Sequence, residues 1–422
     1  MTFDTIAVVG LGYIGLPTAA VLASRKRKVI GIDVNTHTVE TINRGEVHIV
    51  EPELDMLVHA AVTEGYLRAT TFAEPADAFL IAVPTPFKAN HEPDLSYIES
   101  ASNAIASVLK AGDLVILEST SPVGATERMA AWLAKARPDL TFPQTAGEAS
   151  DIRIAHCPER VLPGKVLREL IENDRVIGGM TNACSLAAER LYRAFVQGEC
   201  VLTDARTAEM CKLAENSFRD VNIAFANELA TICERLEINP WELIALANRH
   251  PRVNILQPGP GVGGHCIAID PWFIVDAAPE QARLIRQARM VNDERPLQVV
   301  SKVEEVLARW QTKNGDRQAK VAFLGLSYKA NIDDLRSSPA LTIVNAVAAK
   351  HPDAVLAVEP HLASAPAELH SNAQFVDLQE ALRKADILVL LVAHKDFQSV
   401  KLRNNANQAV LDTCGAWKGI AI

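Results

Sequence analysis

The 422-residue sequence contains no apolar run long enough to span a membrane as a helix. It also lacks a basic segment followed by an apolar stretch ahead of its first predicted strand at Thr5, so no secretory signal peptide is expected. These two absences predict a cytoplasmic protein that works without a membrane partner.

Positive charge is in short supply. The chain has 42 Lys and Arg residues against 51 Asp and Glu residues, which gives a net charge of −9. A surface of this sign disfavours nucleic acid and anionic membranes as partners. An anionic small-molecule substrate would therefore need a local basic pocket.

The seven cysteines are odd in number and scattered, which favours reduced thiols over a disulfide framework. His156 and Cys157 lie close to Glu159, but no second pair of ligands follows at a spacing typical of zinc sites. No metal site is therefore predicted.

The length of the chain predicts two or three domains, because 422 residues are more than a domain with a single hydrophobic core usually contains. Residues 1–202 alternate short apolar runs with helical patterns, as a doubly wound α/β domain does. The predicted strands of this domain are Thr5–Val9, Val29–Asp33, Ala78–Val83, Leu114–Glu118, Ile152–Ala155 and Arg175–Ile177.

Residues 203–300 have helical periodicity and predict a helical middle domain. Its helices are expected at 203–236, at Trp241–Asn248 after Pro240, and at Glu280–Asn292. Residues 301–422 are a smaller α/β domain, preceded by a connecting helix over Val299–Trp310 and a polar linker over Gln311–Gln318. Its predicted strands are Val321–Leu324, Ala354–Val358, Ile387–Val392 and Ala409–Asp412.

A glycine fingerprint opens the chain. The first strand runs into Gly10-Leu-Gly12-Tyr13-Ile14-Gly15 and then into a helix, the arrangement that binds a dinucleotide pyrophosphate. Asp33 ends the next strand, where a carboxylate accepts from a ribose 2′-hydroxyl and repels a 2′-phosphate, so NAD is favoured over NADP. The alternative is a domain that binds another nucleotide or none.

The fold class predicted is α/β, with two doubly wound Rossmann-like domains joined by a helical middle domain with a long connecting helix.

Two loops follow predicted strands and carry Thr85 and Thr120. Ligands of open α/β sheets lie at the carboxyl ends of the strands, so we expect both threonines to contact the cofactor. The alternative is that these loops, rich in Pro, Ser and Thr, are only turns.

The segment from Pro258 to Asp270 is dense in glycine and delivers Cys266 four residues before Asp270. Glycines allow close backbone approach, and a thiol at the end of such a loop is placed for chemistry. A lone cysteine is otherwise most often a small core residue. A nicotinamide cofactor together with a nucleophilic cysteine suggests oxidation beyond the aldehyde.

Lys212 and Asn216 lie four residues apart and share a face of the predicted long helix. A lysine near Cys266 would raise its thiolate fraction, and both side chains could stabilise a developing oxyanion. Lys212 could equally be a solvated residue.

The chain resembles the UDP-glucose/GDP-mannose dehydrogenase family over all three domains. The resemblance is carried by four motifs: Gly-Val-Gly263-Gly-His-Cys266-Ile-Ala-Ile-Asp270, Glu209-Met-Cys-Lys212-Leu-Ala-Glu-Asn216, Cys157-Pro-Glu159-Arg160 and Tyr328-Lys329-Ala-Asn-Ile-Asp333-Asp-Leu-Arg336. It implies oxidation of the sugar C6 alcohol to a carboxylate with two NAD.

The resemblance also implies residue roles. Cys266 would be the covalent nucleophile, with oxyanion stabilisation by Lys212 and Asn216. Asp270 would assist proton transfer. Glu159 and Thr120 would act on the water that hydrolyses the thioester. The implied cofactor-binding residues are Gly10, Gly12, Tyr13, Ile14, Gly15, Asp33, Thr85, Thr120 and Arg336. The implied substrate-binding residues are Arg160, Val161, Lys212, Asn216, Arg219, Arg252, Gly263 and Lys329.

A homodimer through the middle domain is also implied, with Arg252 at its interface as one option. Ala268 and Ile269 replace the Pro-Lys of the UDP-glucose branch, and Arg160 replaces an aromatic residue often found there. The segments around Arg160, Arg219 and Arg252 resemble the branch that oxidises UDP-N-acetyl-D-mannosamine for surface polysaccharide such as enterobacterial common antigen.

UDP-N-acetylglucosamine and UDP-glucose remain alternative substrates. More remote alternatives are a two-electron β-hydroxyacid dehydrogenase and a non-enzymatic sensor of NAD or of a nucleotide sugar.

Overall fold

The computed structural model describes residues 3–88, 91–162, 164–264, 266–315, 317–400 and 408–417. His265, which belongs to the cysteine motif, lies outside these residues. The chain divides into two compact units. The first is Met1–Glu215 with Trp272–Ala278, and the second is Asn216–Pro271 with Pro279–Ile422.

The first unit contains an eight-stranded sheet. Its strands are β1 (Thr5–Val9), β2 (Lys28–Ile32), β3 (Leu67–Thr70), β4 (Ala78–Ile81), β5 (Leu114–Leu117), β6 (Arg153–His156), β7 (Arg175–Gly179) and β8 (Cys200–Asp204). Their order is β3-β2-β1-β4-β5-β6-β7-β8, and every neighbouring pair is parallel except β6–β7. Antiparallel pairing brings the start of β7 to the carboxyl end of β6.

Helices cover both faces of this sheet. They are α1 (Gly15–Ser24), α2 (Thr36–Asn43), α3 (Leu54–Thr63), α4 (Ser96–Ala106), α5 (Ala125–Ala136), α6 (Pro143–Ala146), α7 (Val166–Glu172) and α8 (Asn182–Tyr192), with a 3-10 turn at Gly147–Ala149. Buried residues of α1, α2, α3, α7 and α8 form one core, and those of α4 and α5 form the other. Successive residues of β1 enter opposite cores, as a doubly covered parallel strand requires.

All six predicted strands of this unit form, with ends that differ by a few residues. β3 and β8 were not predicted. Both are edge strands, and β8 is largely exposed, so neither needs the apolar run that marks a buried strand.

The predicted long helix is confirmed as α9 (Ala205–Arg235), which has 31 residues. It is followed by α10 (Pro240–Ala247), α11 (Asp270–Ala277) and α12 (Arg283–Asn314). Asn239 caps α10 by accepting from the backbone N–H groups of Trp241 and Glu242.

The prediction of two separate helices over Glu280–Asn292 and Val299–Trp310 was wrong, as was the linker starting at Gln311. α12 is continuous through Pro296. An interior proline costs about 3 kcal/mol through the lost hydrogen bond and a ring clash. Buried side chains on both sides of it, Asn292 and Val299 among them, tie the two halves to the rest of the unit.

The second sheet has five parallel strands: β9 (Val321–Leu324), β10 (Val355–Val358), β11 (Ala373–Phe375), β12 (Ile387–Leu390) and β13 (Ala409–Asp412). Their order, β11-β10-β9-β12-β13, repeats that of the first five strands, β3-β2-β1-β4-β5. The helices are α13 (Pro339–Lys350), α14 (Leu378–Lys384) and α15 (Lys395–Gln398). Edge strand β11 was not predicted.

The turn after the first strand is also repeated. Gly10 has φ +91° and Gly325 has φ +97°, and each donates its N–H to the strand beside it. A carboxylate at the end of that neighbouring strand then accepts from the next residue: Asp33 from Leu11 N, and Glu359 from Leu326 N. The two α/β domains are thus built on one local plan.

A buried polar network joins α9, α12 and the glycine-rich segment. Asn292 donates to Asp220 Oδ1 at 2.8 Å, and Asn227 donates to Asn292 Oδ1 at 2.9 Å. Asn227 Oδ1 accepts from Gly259 N at 2.9 Å, and Arg295 Nε donates to Gly259 O at 3.1 Å. The start of the cysteine segment is therefore fixed to two helices.

Candidate active site

The glycine fingerprint forms a tight strand-to-helix turn. A Cβ on Gly10 would lie 2.6 Å from Ala82 O, and one on Gly15 would lie 1.8 Å from Gly10 O. A Cβ on Gly12 would meet nothing within 4 Å, so this backbone is open on the side where a pyrophosphate would approach. Tyr13 is exposed and Ile14 is half-buried at the start of α1.

Asp33 organises this turn from the end of β2. Its Oδ2 accepts from Leu11 N at 2.9 Å and its Oδ1 from Asn35 N at 2.9 Å. It is half-buried, so the carboxylate is within reach of a ligand beside the turn. The open backbone at Gly12 and this carboxylate fit the diphosphate and the adenosine ribose of NAD.

The loops after β4 and β5 are bound to each other. Thr85 Oγ1 donates to Thr120 O, and Ser119 Oγ donates to Val83 O at 2.6 Å. Glu209 on α9 holds the residues that follow, because its buried carboxylate accepts from Gly124 N at 2.6 Å and from Thr126 N at 2.8 Å. Thr85 and Thr120 are thus brought together on a rigid edge of the sheet.

Glu159 follows β6 and is only 7% exposed. Its Oε1 accepts from Arg160 N at 2.6 Å, and its Oε2 lies 2.8 Å from Arg175 Nη1 at the start of β7. The preceding residues are buried and inert: burial raises the pKa of the Cys157 thiol to about 12 and lowers the pKa of His156 to about 3.

Arg160 and Val161 have contacts of their own within the first unit. The Arg160 guanidinium forms an ion pair with Glu215, with Nη2 2.7 Å from Oε1, and also donates to Asp174 O. Val161 packs against the core under α1 and α3. Both were predicted to bind substrate; the geometry adds structural contacts to that expectation.

Three of the predicted catalytic residues, Lys212, Asn216 and Asp270, lie on α9 or at the start of α11, and Cys266 lies just before α11. Lys212 and Asn216 are one turn apart on α9, as predicted. Asn216 Nδ2 donates to Asp270 Oδ2 at 2.5 Å. Asp270 is 3% exposed, and its backbone N–H donates to Cys266 O at 2.9 Å. Of the seven cysteines, none is in a disulfide, and Cys266 is the one classed as exposed.

The glycines before Cys266 approach protein. A Cβ on Gly263 would lie 2.6 Å from Ser337 O, and one on Gly264, at φ +83°, would lie 2.9 Å from the Tyr328 ring. Gly264 N donates to Arg336 O at 3.1 Å. These glycines therefore let the cysteine loop pack closely on the segment from Tyr328 to Pro339.

The remaining predicted residues are basic and lie on the second unit. Lys329, Arg219 and Arg252 are exposed. Arg336 is paired with Asp334, with Nη2 2.6 Å from Oδ2 and Nε 2.9 Å from Oδ1. Lys329 and Arg336 therefore flank the loop that contacts the cysteine segment.

Among the described residues, Glu359, His361 and His394 bring potential metal-ligand atoms within 4.8 Å of one another. His394 Nδ1 accepts from Asn331 N at 2.9 Å, so the ring proton must be on Nε2. Nε2 lies 3.2 Å from both Glu359 Oε2 and Ser327 Oγ. A metal on Nε2 would displace that proton, so the group is better explained as a hydrogen-bonded network.

Comparison with known protein families decides what this site belongs to. Residues 4–196 match the NAD binding domain of the UDP-glucose/GDP-mannose dehydrogenase family, residues 206–294 its central domain and residues 322–419 its UDP binding domain. The chain belongs to this family. The resemblance and the NAD prediction are confirmed.

Individual members of the family are similar along the whole chain. The chain is 64% identical to an NDP-N-acetyl-D-galactosaminuronic acid dehydrogenase of Ralstonia nicotianae, over 98% of this chain and 96% of the relative. It is 62% identical to a UDP-N-acetyl-D-mannosamine dehydrogenase of Yersinia pestis, over 99% and 100%. The structure of a UDP-D-ManNAc dehydrogenase from Pyrococcus horikoshii superposes with a TM-score of 0.87 at 38% identity, covering 99% of this chain and 97% of that one.

Sequence reasoning missed three buried residues behind Glu159: Glu118, Arg175 and Tyr192. Glu118 was noted only as the end of a predicted strand, and Arg175 only as the start of one. An arginine opening an otherwise apolar strand was the available signal, because a charged residue in a buried strand needs a partner.

Proposed function

We propose that this family member oxidises the C6 alcohol of UDP-N-acetyl-D-mannosamine to the carboxylate, using two NAD and one water. The observation that carries the proposal is the placement of Cys266. It is exposed, it ends a loop packed against Tyr328 and Arg336 of the UDP binding domain, and its carbonyl accepts from the N–H of Asp270, which is hydrogen-bonded to Asn216.

The proposed reaction has two oxidation steps at C6, and Cys266 holds the sugar between them. When bound, NAD accepts a hydride from C6 in each of two oxidations. After the first, the Cys266 thiolate adds to the aldehyde carbon and forms a thiohemiacetal. Loss of the second hydride leaves a thioester, and covalent attachment keeps the aldehyde from escaping between the two oxidations.

Asn216 and Lys212 stabilise the oxyanion of the thiohemiacetal. Asn216 Nδ2 carries two N–H groups, and one of them is held by Asp270 Oδ2 at 2.5 Å. Such a bond orients the amide before the reaction, which makes its electrostatic contribution larger than that of a mobile group. Asp270 assists proton transfer, while Glu159 and Thr120 manage the water that cleaves the thioester.

Binding of the sugar nucleotide is assigned to Arg160, Val161, Arg219, Arg252, Gly263 and Lys329 together with Lys212 and Asn216. Arg336 contacts the cofactor phosphates. The three domains run over 1–202, 203–300 and 301–422, which is consistent with the three matched segments. The product serves surface polysaccharide synthesis, of the enterobacterial common antigen type, in the cytoplasm.

The choice of sugar rests on similar proteins, and these proteins are named for different sugars. The Yersinia pestis and Pyrococcus horikoshii proteins are named for N-acetylmannosamine, and the Ralstonia nicotianae protein for N-acetylgalactosaminuronic acid. The galacto compound is therefore the second candidate. Ala268 and Ile269, in place of Pro-Lys, argue against the UDP-glucose branch.

The test is the NADH yield per sugar for a panel of UDP-N-acetylmannosamine, UDP-N-acetylgalactosamine, UDP-N-acetylglucosamine and UDP-glucose. Two NADH per UDP-N-acetylmannosamine, at the highest kcat/KM of the panel, are expected. One NADH per sugar would instead support a two-electron dehydrogenase, and the highest kcat/KM on the galacto sugar would reassign the substrate.

Variants of Cys266 test the covalent mechanism. Cys266→Ala should abolish uronate formation, because no acyl-enzyme can form. Cys266→Ser should accumulate an ester seen in the intact-protein mass, since an ester is a poorer acyl donor than a thioester. Undiminished uronate production by Cys266→Ala would refute the proposed mechanism.

A further inference from the structure

A cluster of buried charges lies behind Glu159 in the first unit, where β5 and β6 end and β7 begins. Arg175 Nη1 is 2.8 Å from Glu159 Oε2, and the two side chains are 3% and 7% exposed. The guanidinium also lies over the Tyr192 ring, 5.1 Å from its centroid, and 5.9 Å from that of Phe195. Packing on two aromatic rings keeps Arg175 in one place.

A second carboxyl belongs to the cluster. Glu118, at the end of β5, accepts a hydrogen bond at 2.6 Å from Tyr192 Oη, and both side chains are fully buried. Burial raises the pKa of Glu118 to about 7 and that of Cys157 to about 12. The ionisable groups of this cluster, beside Glu159, are therefore Glu118, Cys157, Arg175 and Tyr192.

Stability alone is a weak reason for such a pair. Taking two charges out of water costs several kcal/mol per ion, and apolar residues of equal volume often stabilise a fold as well or better. A guanidinium held against the Glu159 carboxylate, at the edge of the sheet where its strand ends, indicates that the pair orients this carboxylate.

We propose that Arg175 is a positioning residue for thioester hydrolysis: it holds the Glu159 carboxylate in one orientation, so that Glu159 accepts a proton from the attacking water. This rests on the proposed function of Glu159. In the step, the water oxygen bonds to the thioester carbon and one proton passes to Glu159. The C–S bond breaks, Cys266 leaves as the thiolate, and both the carboxylic acid product and protonated Glu159 give their protons to solvent.

Arg175→Met removes the charge and keeps the length of the side chain. Glu159 then has no ion-pair partner to hold its carboxylate in place, so the attacking water is no longer aligned with the base. We expect steady-state turnover to fall by about 10²-fold or more, as loss of a general base does.

The decisive measurement separates oxidation from hydrolysis. In a rapid-mixing experiment, Arg175→Met should release two NADH per site at nearly the parental rate and then stall, with a thioester adduct on Cys266 in the intact-protein mass. Arg175→Lys, which restores a charge, should recover part of the turnover. Arg168→Met, an exposed arginine of α7, is the control for loss of one positive charge and should behave as the parent.

Glu159→Gln distinguishes two kinds of failure. If Glu159→Gln stalls as the thioester and folded Arg175→Met does not, the role of Arg175 is wrong and the proposed function stands. If neither stalls, the assignment of Glu159 itself is wrong. If Arg175 acts through Glu159, Glu159→Gln with Arg175→Met is no slower than Glu159→Gln alone, and additive losses would overturn the proposal.

Discussion

Two cysteines of this chain differ in burial and therefore in the reactivity expected of their thiols. Cys157 follows a central strand and is fully buried, and burial raises the pKa of its thiol to about 12. Cys266 ends a glycine-rich loop and is exposed. Both belong to specific family motifs, so motif membership alone did not distinguish a nucleophile from a core residue. The glycines before Cys266 made that distinction in the sequence.

Glu118 gives a prediction about stability and pH. Its carboxyl has a pKa of about 7 in the folded chain against 4.5 for the ordinary group. Between these values the unfolded chain releases a proton that the folded chain keeps, so native stability falls as pH rises through this window. Glu118→Gln cannot ionise, and its melting temperature relative to the parent should therefore rise from pH 4.5 to 7, by roughly a few degrees.

Thermal melts of both proteins across this range provide the measurement. His156, whose pKa burial lowers to about 3, adds an opposite slope to both proteins and cancels in the difference. Melting curves that stay parallel at every pH would contradict the assignment of a raised pKa to Glu118.

At the scale of elements, sequence patterns predicted what is buried and missed what is at an edge. Fully apolar runs such as β1 and β9 were located to the residue, because burial on both faces demands them. β3, β8 and β11 lie at sheet edges and carry no such run. The helix break expected near Pro296 was also wrong. Packing of the buried residues of α12 on both sides of Pro296 outweighs the preference of proline to end a helix.

The cysteine loop offers a matched pair of substitutions. Gly263→Ala would place a Cβ 2.6 Å from Ser337 O and 2.7 Å from Tyr328 Cβ, whereas one on Gly259 would meet nothing within 4 Å. Displacement by an ångström costs on the order of 10²-fold in rate. We therefore expect Gly263→Ala to lower kcat at least about tenfold and to change the rate at which iodoacetamide alkylates Cys266.

Gly259→Ala makes the same chemical change in the same loop and should leave both quantities within about twofold, because the added Cβ would meet no other atom within 4 Å. Equal effects of the two variants would mean that the contact with the segment from Tyr328 to Pro339 does not position the loop.

At the scale of the whole molecule, the second unit exposes an apolar stripe on α9. Phe218, Phe225 and Ile232 recur every seven residues and are 72%, 51% and 46% exposed, and Leu236 beyond the helix end is 61% exposed. Exposed apolar surface of this extent marks an interaction site, and a seven-residue repeat is typical of helix pairing. We propose that a second copy of this chain covers the stripe in a two-fold dimer.

Phe225→Glu tests the dimer. A charge in the middle of the stripe would be desolvated on both copies, so the parent should have twice the chain mass of 45.8 kDa by light scattering and the variant should shift towards one chain mass. Met56→Glu, at a 65% exposed position of α3, is the matched control and should leave the mass unchanged. A parent of single-chain mass at micromolar concentration would refute the dimer.

The repeated turn after β1 and β9 carries different chemistry in the two α/β domains. The first domain has Gly12 with open space beyond it, and the second has Ser327 at the matching position. The Ser327 hydroxyl and the Glu359 carboxylate both contact the His394 ring. Strand order and turn geometry are the same in both domains. One turn therefore leaves its backbone open to a ligand and the other is closed by its own side chains, so a single backbone plan serves two different surfaces.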